Sequence, residues 1–360
     1  MRYGVIMAGG SGTRLWPLSR RGMPKQLLRL IDGKSLLRLA YERLAGYLPD
    51  EQIYVCTGAD YLDTVASDLP ELPRANLLGE PIGRDSLNAV SWPVAVLAER
   101  DPDAVVAIVS SDQIITPRTE FRAALETGFA KAEADPDAMI VFGVVPTEPN
   151  TGYGYLRHGP ETGGYRNLYE LDSFTEKPDR ATAERYLDSG EYWWNAGMFV
   201  WRARTLLRQL ELLLPDQHRQ VTELARRPER IGEIYPTLPR ISIDYAVMEP
   251  VSAGRGSGRL FVVRMPITWH DVGGYPALRR HLHSDDAGNV VIGLAQIGAH
   301  TRDNLVVNTA SDGRLVAVVG LSGTAVVETP DVTLVCPLAE ADLIKEMVAR
   351  VGEEHGDRFA

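Results

Sequence analysis

The sequence predicts an α/β fold, with a mostly parallel sheet, helices on both its faces and a small all-β region after it. Three observations predict this. Short apolar runs alternate with helix-length segments from Tyr3 to Val145, the pattern of strands joined by crossover helices. After residue 283 the pattern changes to Val-rich runs broken by Gly, Asn, Asp and Pro. The chain has 360 residues, 44 % of them hydrophobic, which suffices for one large core and a smaller one.

In order along the chain, Tyr3–Ala8 reads as a strand and Ser35–Tyr47 as a helix with apolar residues at helical spacing. Gln52–Gly58 is a second strand. Ser86–Arg100 is a helix carrying Pro93, Ala104–Val109 a third strand, Phe121–Ala134 a helix and Ala138–Val145 a fourth strand. Ligands of such sheets lie at the carboxyl ends of the strands. The Gly- and aromatic-rich stretches NTGYGYL, SFTEKP and WWNAGMFVWRA read as an insertion over the sheet. Gly258–Pro266 is a strand that delivers TWHDVGGY at its end. Residues 1–283 thus form one α/β body and 284–360 a small β-rich region closed by a helix near Glu340–Arg350. The short period of that region suggests a β-helix turn or two. Exposed hydrophobic strands need a partner, so this region is the candidate for dimerisation.

Composition narrows the function. The net charge of −10 excludes a general nucleic-acid surface. No stretch approaches the roughly 18 apolar residues of a membrane span. The chain enters a strand pattern by Tyr3 with no basic leader, and Cys56 and Cys336 lie far apart in apolar runs, as buried free thiols would. A cytoplasmic protein is expected.

Against this acidic background, residues 1–31 contain no Asp or Glu but carry Arg2, Arg14, Arg20, Arg21, Lys25 and Arg29. The segment VIMAGGSGTRLWPLSRRGMPKQ begins within the first strand, and its glycines and cations follow directly behind that strand. It lacks GxxxxGK[ST], and Leu15 stands where a dinucleotide fingerprint needs its last glycine. A GGxGTR loop can still wrap an anion. Its glycines let backbone N–H groups converge into a nest, Arg14 can fork two phosphate oxygens, and Lys25 adds a point charge. A triphosphate needs that many cationic partners. The alternative is a solvated charge run, which would not need the glycines.

The string AGGSGTRLWPLSR…PKQ resembles the signature of the sugar-nucleotide pyrophosphorylases, which join a nucleoside triphosphate to a sugar 1-phosphate. Trp16–Arg20 is similar to the mannose-1-phosphate guanylyltransferase branch. The resemblance recurs in EPIGR (Glu80–Arg84), SSDQ (Ser110–Gln113), TGYGY (Thr151–Tyr155), FTEKP (Phe174–Pro178), WNAGMF (Trp194–Phe199), ISIDYAVME (Ile241–Glu249), WHDVGGY (Trp269–Tyr275) and the Val-rich tail. It implies a Rossmann-like sheet of the nucleotide-diphospho-sugar transferase type, with GTP and a sugar 1-phosphate, most specifically mannose 1-phosphate, as substrates.

In such a reaction the sugar phosphate is already anionic, so the machinery expected is cationic side chains and a metal ion rather than a Ser, Cys or His nucleophile. The resemblance implies Arg14, Lys25, Asp112 and Asp271 as catalytic residues, with Asp112 and Asp271 holding Mg²⁺ or another divalent cation. Taken alone, Asp112 reads equally as a turn residue or helix N-cap. Nucleotide contacts are expected from Ala8, Gly9, Gly10, Ser11, Gly12, Thr13, Glu80, Gly83, Arg84 and Ser111, with Glu80 accepting from the N1–H and amine of guanine. Sugar-phosphate contacts are expected from Tyr153, Gly154, Glu176, Lys177, Asn195 and Gly197. Trp193, Trp194 and Tyr155 read as core, and Asp244 and Tyr245 as supports of unassigned role. Two stretches depart from the family pattern: Gln113 stands where His is usual, and Asp85-Ser86-Leu87-Asn88 stands where Asn-Thr-Ala-Pro is usual. Asp85 is expected to pair with Arg84. The competing readings are a guanylyltransferase for another sugar 1-phosphate such as a heptose, a sugar-phosphate isomerase, and a non-catalytic sugar-nucleotide-binding regulator.

Overall fold

The computed structural model describes residues 1–10, 12–356 and 358–359. The chain forms two compact units. The first comprises Met1–Gly9, Ala40–Ser111 and Ile115–Trp269, and the second comprises Gly10–Leu39, Asp112–Ile114 and His270–Ala360.

The strands are β1 (Arg2–Ala8), β2 (Ile53–Gly58), β3 (Leu77–Glu80), β4 (Val105–Ser110), β5 (Gln113–Thr116), β6 (Ala138–Val144), β7 (Tyr155–Glu161), β8 (Leu168–Thr175), β9 (Tyr192–Arg202) and β10 (Arg259–Arg264). Nine of them build the sheet of the first unit, in the order β3-β2-β1-β4-β9-β6-β10-β8-β7. β1 to β4 are parallel, with Met7 opposite both Cys56 and Ser110 and Gly58 opposite Glu80. Their carboxyl ends therefore share one edge. β3 has no sequence signature, because Leu-Leu-Gly-Glu is too short to show a period; pairing with β2 makes it a strand.

β9 differs from expectation. It runs antiparallel between β4 and β6, inside the sheet rather than over it. Trp193, Trp194, Phe199, Val200 and Trp201 are all buried, which requires cover on both faces and hence a central position.

The helices are α1 (Leu36–Leu44), α2 (Leu62–Asp68), α3 (Ser86–Arg100), α4 (Arg118–Ala134), α5 (Arg180–Ser189), α6 (Ala203–Leu213) and α7 (Pro215–Arg226). One face of the sheet presents Val106, Ile108, Val141 and Trp201 to a core shared with Trp92 of α3, Leu206 of α6 and Val221 of α7. The alternate residues face α4, whose Gly128 lies so close that a Cβ there would be 3.2 Å from Phe142 and 3.3 Å from Val200. α1 stops at Leu44 rather than Tyr47, just before Gly46 at φ +75°, the usual glycine termination.

After β11 (Thr268–Asp271) come β12 (Val290–Ile292), β13 (Ala295–Ile297), β14 (Leu305–Asn308), β15 (Val316–Val318), β16 (Thr324–Glu328) and β17 (Thr333–Pro337). β12, β14 and β16 stack in parallel, placing Val290 beside Leu305 and Leu305 beside Ala325. β17 closes that ladder antiparallel and β13 pairs with β15. The parallel rungs are those of a β-helix, and Ile344–His355 is the closing helix.

The second unit's core joins Leu15, Trp16, Leu18, Leu28 and Leu30 of the opening segment to Val290, Leu305, Val307, Val327 and Ile344. Arg20 forks onto Asp331 at 2.7 and 2.6 Å. The Tyr275 hydroxyl donates to the carbonyls of Leu15 and Trp16 at 2.9 and 3.0 Å. The Trp-Pro-Leu-Ser-Arg string is thus an anchor, with Trp16 and Leu18 in the core and Arg20 on the β-rich region. Among the described residues no helix is long and apolar enough to cross a membrane.

Candidate active site

In the second unit the glycine loop meets two aspartates. Gly12 has φ +61°, and a Cβ on it would lie 2.6 Å from the Cβ of Lys25, so only glycine fits this approach. Gly10 lies at φ +97°. Ser11 falls outside the described residues. Thr13–Leu15 form one tight helical turn, with the Gly12 carbonyl accepting from the Leu15 amide at 2.9 Å and from Ser19 Oγ at 2.5 Å. This turn leaves Arg14 exposed while Lys25 points inward.

Lys25 Nζ lies 2.7 Å from Asp112 Oδ2 and 4.0 Å from Asp271 Oδ1. The backbone fixes the two acids relative to each other, since the amide of Val272 donates to the carbonyl of Asp112 at 3.0 Å. Burial works to lower the proton affinity of Lys25, but Asp112 and then Asp271 outweigh it and hold the ammonium above its ordinary value. Asp271 is held above the usual carboxylate range by burial and by Asp112, with Lys25 and Arg14 pulling the other way. Arg14 Nε sits 3.2 Å from Asp342 Oδ1, both side chains being well exposed; such a pair is worth little and yields readily to an anion.

Arg14, Lys25, Asp112 and Asp271 are therefore one cluster, drawn from three separate stretches of sequence. Its two acids are hard oxygen donors, both partly buried, which suits a divalent cation such as Mg²⁺. Among the described residues no group of three or more His, Cys, Asp or Glu is arranged to hold a metal, so water or substrate oxygens would complete the ligand set. Gln113 is buried directly after Asp112.

In the first unit Ala8, Glu80 and Ser111 are buried at the shared carboxyl edge of the parallel strands. A Cβ on Gly9 would lie 3.8 Å from Glu80 Oε2. The Tyr235 hydroxyl donates to Glu80 Oε1. Burial pushes the Glu80 carboxyl up to about 7, and the bond from Tyr235 opposes that rise. Gly83 is exposed on the following turn.

The expected Arg84–Asp85 pair does not form. Arg84 donates to the Pro236 carbonyl. Asp85, at φ +66°, caps α3 by accepting from the Ser86 amide at 2.8 Å, where a carboxylate meets the positive end of the helix. Asn88 uses its side chain to donate to the carbonyls of Arg84 and Pro239 at 2.8 and 2.7 Å. The departures at 85 and 88 thus have structural work: one caps a helix, the other ties a loop.

A further group in the same unit brings together the residues expected to hold a sugar phosphate. A Cβ on Gly154 would lie 2.5 Å from Glu176 Oε2, so the glycine admits the acid. The Asn195 amide donates to the Gly154 carbonyl at 2.8 Å, its Oδ1 accepts from the Gly197 amide at 3.0 Å, and its Nδ2 donates to Asp244 Oδ1 at 2.9 Å. Lys177 Nζ lies 2.9 Å from the buried Glu176 Oε1. Burial and then Glu176 push Asp244 up to about 7. Tyr153 lies edge-on to Trp194 and Trp269, with ring centroids 5.3 and 5.0 Å away.

Tyr235 was not singled out by the sequence. It sits in a short turn, Tyr235–Thr237, with no periodicity. The one available signal was chemical: a carboxylate expected to be buried at Glu80 requires a hydrogen-bond donor.

Residues 3–286 match the Nucleotidyl transferase family, and residues 296–351 match the MannoseP isomerase/GMP-like beta-helix domain. The mannose-1-phosphate guanylyltransferase of Klebsiella pneumoniae is 34 % identical over 354 residues, spanning 96 % of this chain and 72 % of that protein. The Escherichia coli protein of the same name gives the same identity and coverage. A solved structure from Thermus thermophilus, named mannose-1-phosphate geranyltransferase, superposes with a TM-score of 0.85 at 35 % identity, covering 97 % of this chain and 99 % of that one.

Proposed function

The chain belongs to the nucleotidyl transferase family that includes the mannose-1-phosphate guanylyltransferases, and from that premise we propose that it transfers GMP from GTP to α-D-mannose 1-phosphate, forming GDP-mannose and pyrophosphate. The observation that carries this reading is the cluster of Arg14, Lys25, Asp112 and Asp271, which joins phosphate-binding cations to paired hard acids.

A phosphate oxygen of the sugar 1-phosphate attacks the α-phosphorus of GTP. The new P–O bond forms as the α–β bridging bond breaks, and its electron pair leaves with pyrophosphate. The nucleophile needs no deprotonating base, so the barrier is the approach of two anions. Arg14 and Lys25 offset the charge that builds on the leaving group, and the Ala8–Thr13 backbone cradles the phosphates. A divalent cation held by Asp112 and Asp271 would supply further charge neutralisation at the phosphates.

Glu80, ionised, accepts from guanine N1–H and the 2-amino group, a donor pair that adenine lacks; Gly83, Arg84 and Ser111 complete the nucleotide contacts. Tyr153, Gly154, Glu176, Lys177, Asn195 and Gly197 take the sugar phosphate. The reading includes a cytoplasmic homodimer, for which the free cysteines and the exposed Leu294, Leu315, Val319 and Val335 of the β-rich region are the support.

Pyrophosphate release across a grid of nucleoside triphosphates and sugar 1-phosphates tests the reading. GTP with mannose 1-phosphate should exceed every other pair by at least about tenfold. Faster release with UTP or dTTP, or with a different sugar, would refute it.

Two substitutions refine it. Arg14→Ala should lower turnover by about a hundredfold, the usual cost of one charged transition-state contact. The melting temperature should hardly move, because Arg14 is exposed and its partner Asp342 is 91 % exposed. Near-normal turnover would remove Arg14 from the mechanism. Asp85→Asn should leave KM for GTP unchanged at low and high salt, since asparagine caps a helix as well as aspartate does. A salt-dependent change in KM would mean that the Asp85 carboxylate feels the triphosphate.

A further inference from the structure

We propose that Tyr235 positions Glu80 for recognition of the purine, so that the base preference of this chain is set by a buried Tyr–Glu pair and not by Glu80 alone. The inference rests on the reading of Glu80 as the base-recognising residue.

Tyr235 is fully buried, and Glu80 is 7 % exposed. The phenol donates to Oε1, while Oε2 lies on the side of Gly9, at the start of the glycine loop. Each carboxylate oxygen has two acceptor sites. Oε1 can therefore keep Tyr235 and still take one donor from a base, with Oε2 taking the other. A carboxylate tethered at one oxygen has its plane fixed before the ligand arrives, which reduces the ordering cost of binding.

Tyr235 is itself held from two directions. The Trp92 ring meets it edge-on, with centroids 5.5 Å apart. The chain beyond it is fastened along the Glu80 loop: Arg84 to the Pro236 carbonyl, Asn88 to the Pro239 carbonyl at 2.7 Å, Leu87 N to the Ile241 carbonyl at 3.2 Å, and Ile243 N to Ser86 Oγ at 3.0 Å. These four contacts tie residues 84–88 to residues 236–243, which restrains the hydroxyl relative to the carboxyl.

The pair also governs ionisation. The titratable groups facing Glu80 are the Tyr235 phenol and the Cys56 thiol, both of which burial keeps neutral. Burial drives Glu80 toward its neutral form, and the Tyr235 hydrogen bond is the interaction that favours the carboxylate. Only the carboxylate accepts two donors; a protonated Glu80 would point a hydrogen at guanine. The rate constant kcat/KM for GTP should therefore rise with pH as Glu80 ionises. Losing the hydroxyl should move that rise to higher pH.

The test is Tyr235→Phe, which keeps the ring packing. At pH 7 its kcat/KM for GTP should fall about fivefold, because a shift of about one pH unit from a midpoint near 7 lowers the ionised fraction of Glu80 from about one half to about one tenth. The expected shift is an alkaline displacement of the rising limb, with kcat at saturating GTP within about twofold of wild type and kcat/KM recovering above pH 8.5. A limb that superimposes on the wild-type limb would overturn the proposal, and so would equal losses in kcat and kcat/KM at all pH values, since those mark a merely structural role. If Tyr235→Phe does not fold, Glu80→Gln decides, because the limb should vanish there; a limb that survives overturns the assignment. Should the wild type release no pyrophosphate from GTP, the functional reading has failed separately. The pair is then read from the infrared carboxyl titration of Glu80, isolated as wild type minus Glu80→Gln. A midpoint that Tyr235→Phe raises supports the pair, and an unmoved midpoint refutes it.

Discussion

Lys25→Met should lower turnover by at least about a hundredfold, and it should also cost stability, which separates Lys25 from Arg14. Arg14 is exposed and can be removed without disturbing the fold. Lys25 has 13 % of its side chain exposed and sits 2.7 Å from Asp112. Methionine preserves the stem that packs against Gly12 but leaves two acids without their ammonium. Removing one partner of a buried ion pair typically costs about 3–5 kcal/mol, because the remaining charge stays buried; partial exposure of Asp112 and Asp271 should bring the loss toward the lower figure.

The pH dependence carries the sign. Asp271 already binds its proton more tightly than an unfolded aspartate does, through burial and Asp112. A carboxyl whose folded pKa is raised destabilises the fold when ionised, so the penalty is present at pH 8 and is relieved as pH falls through the folded pKa. In the variant that pKa rises further, since Lys25 no longer opposes it. Thermal melts in the presence of a chelator should show a deficit at pH 8 that shrinks at pH 5. A deficit independent of pH would mean that Lys25 stabilises through packing alone. Unchanged turnover would remove it from the reaction.

The second large effect belongs to Asp112 and Asp271 together. Asp112→Asn and Asp271→Asn should each raise the divalent-cation concentration needed for half-maximal rate and lower the saturated rate by about a hundredfold or more. The double variant should be little worse than the poorer single one. Groups that act as one unit lose their function once, and the interaction term of such a cycle reaches about 3 kcal/mol. Losses that multiply would show that the two acids do not serve a common ion. Varying Mg²⁺ at fixed substrate, with the chelated enzyme as the zero point, measures all four members of the cycle.

Much of the fold was legible because burial leaves a local trace. α3 was read with its observed bounds, Ser86–Arg100, although Pro93 lies within it. β1, β2, β4 and β6 were found within a residue at either end, since each is a continuous apolar run covered on both faces. The Val-rich rungs of the tail were visible for the same reason. β3 and the central placement of β9 were not. Four residues of Leu-Leu-Gly-Glu have no period. The aromatic burial of Tyr192–Arg202 fits a central strand as well as a packed insertion, and only its pairing with β4 and β6 separates them.

The site divides along the same line. By itself the sequence determined which residue types were present for the proposed chemistry: Arg14 and Lys25 on a glycine loop, acids at Asp112 and Asp271, Gly154 in one aromatic loop and Glu176–Lys177 in another. The motifs that carry them are contiguous, and the demands for close backbone approach and fixed charge are written in single residues. Only the tertiary structure decided the partnerships. It set Lys25 against Asp112, gave Arg84 to Pro236 and left Asp85 to cap α3, and brought Tyr235 onto Glu80. A hydrogen bond or ion pair reaches about 3–4 Å and is blind to separation along the chain. Which donor meets which acceptor is therefore fixed by how distant segments pack, and no local pattern in the sequence records it.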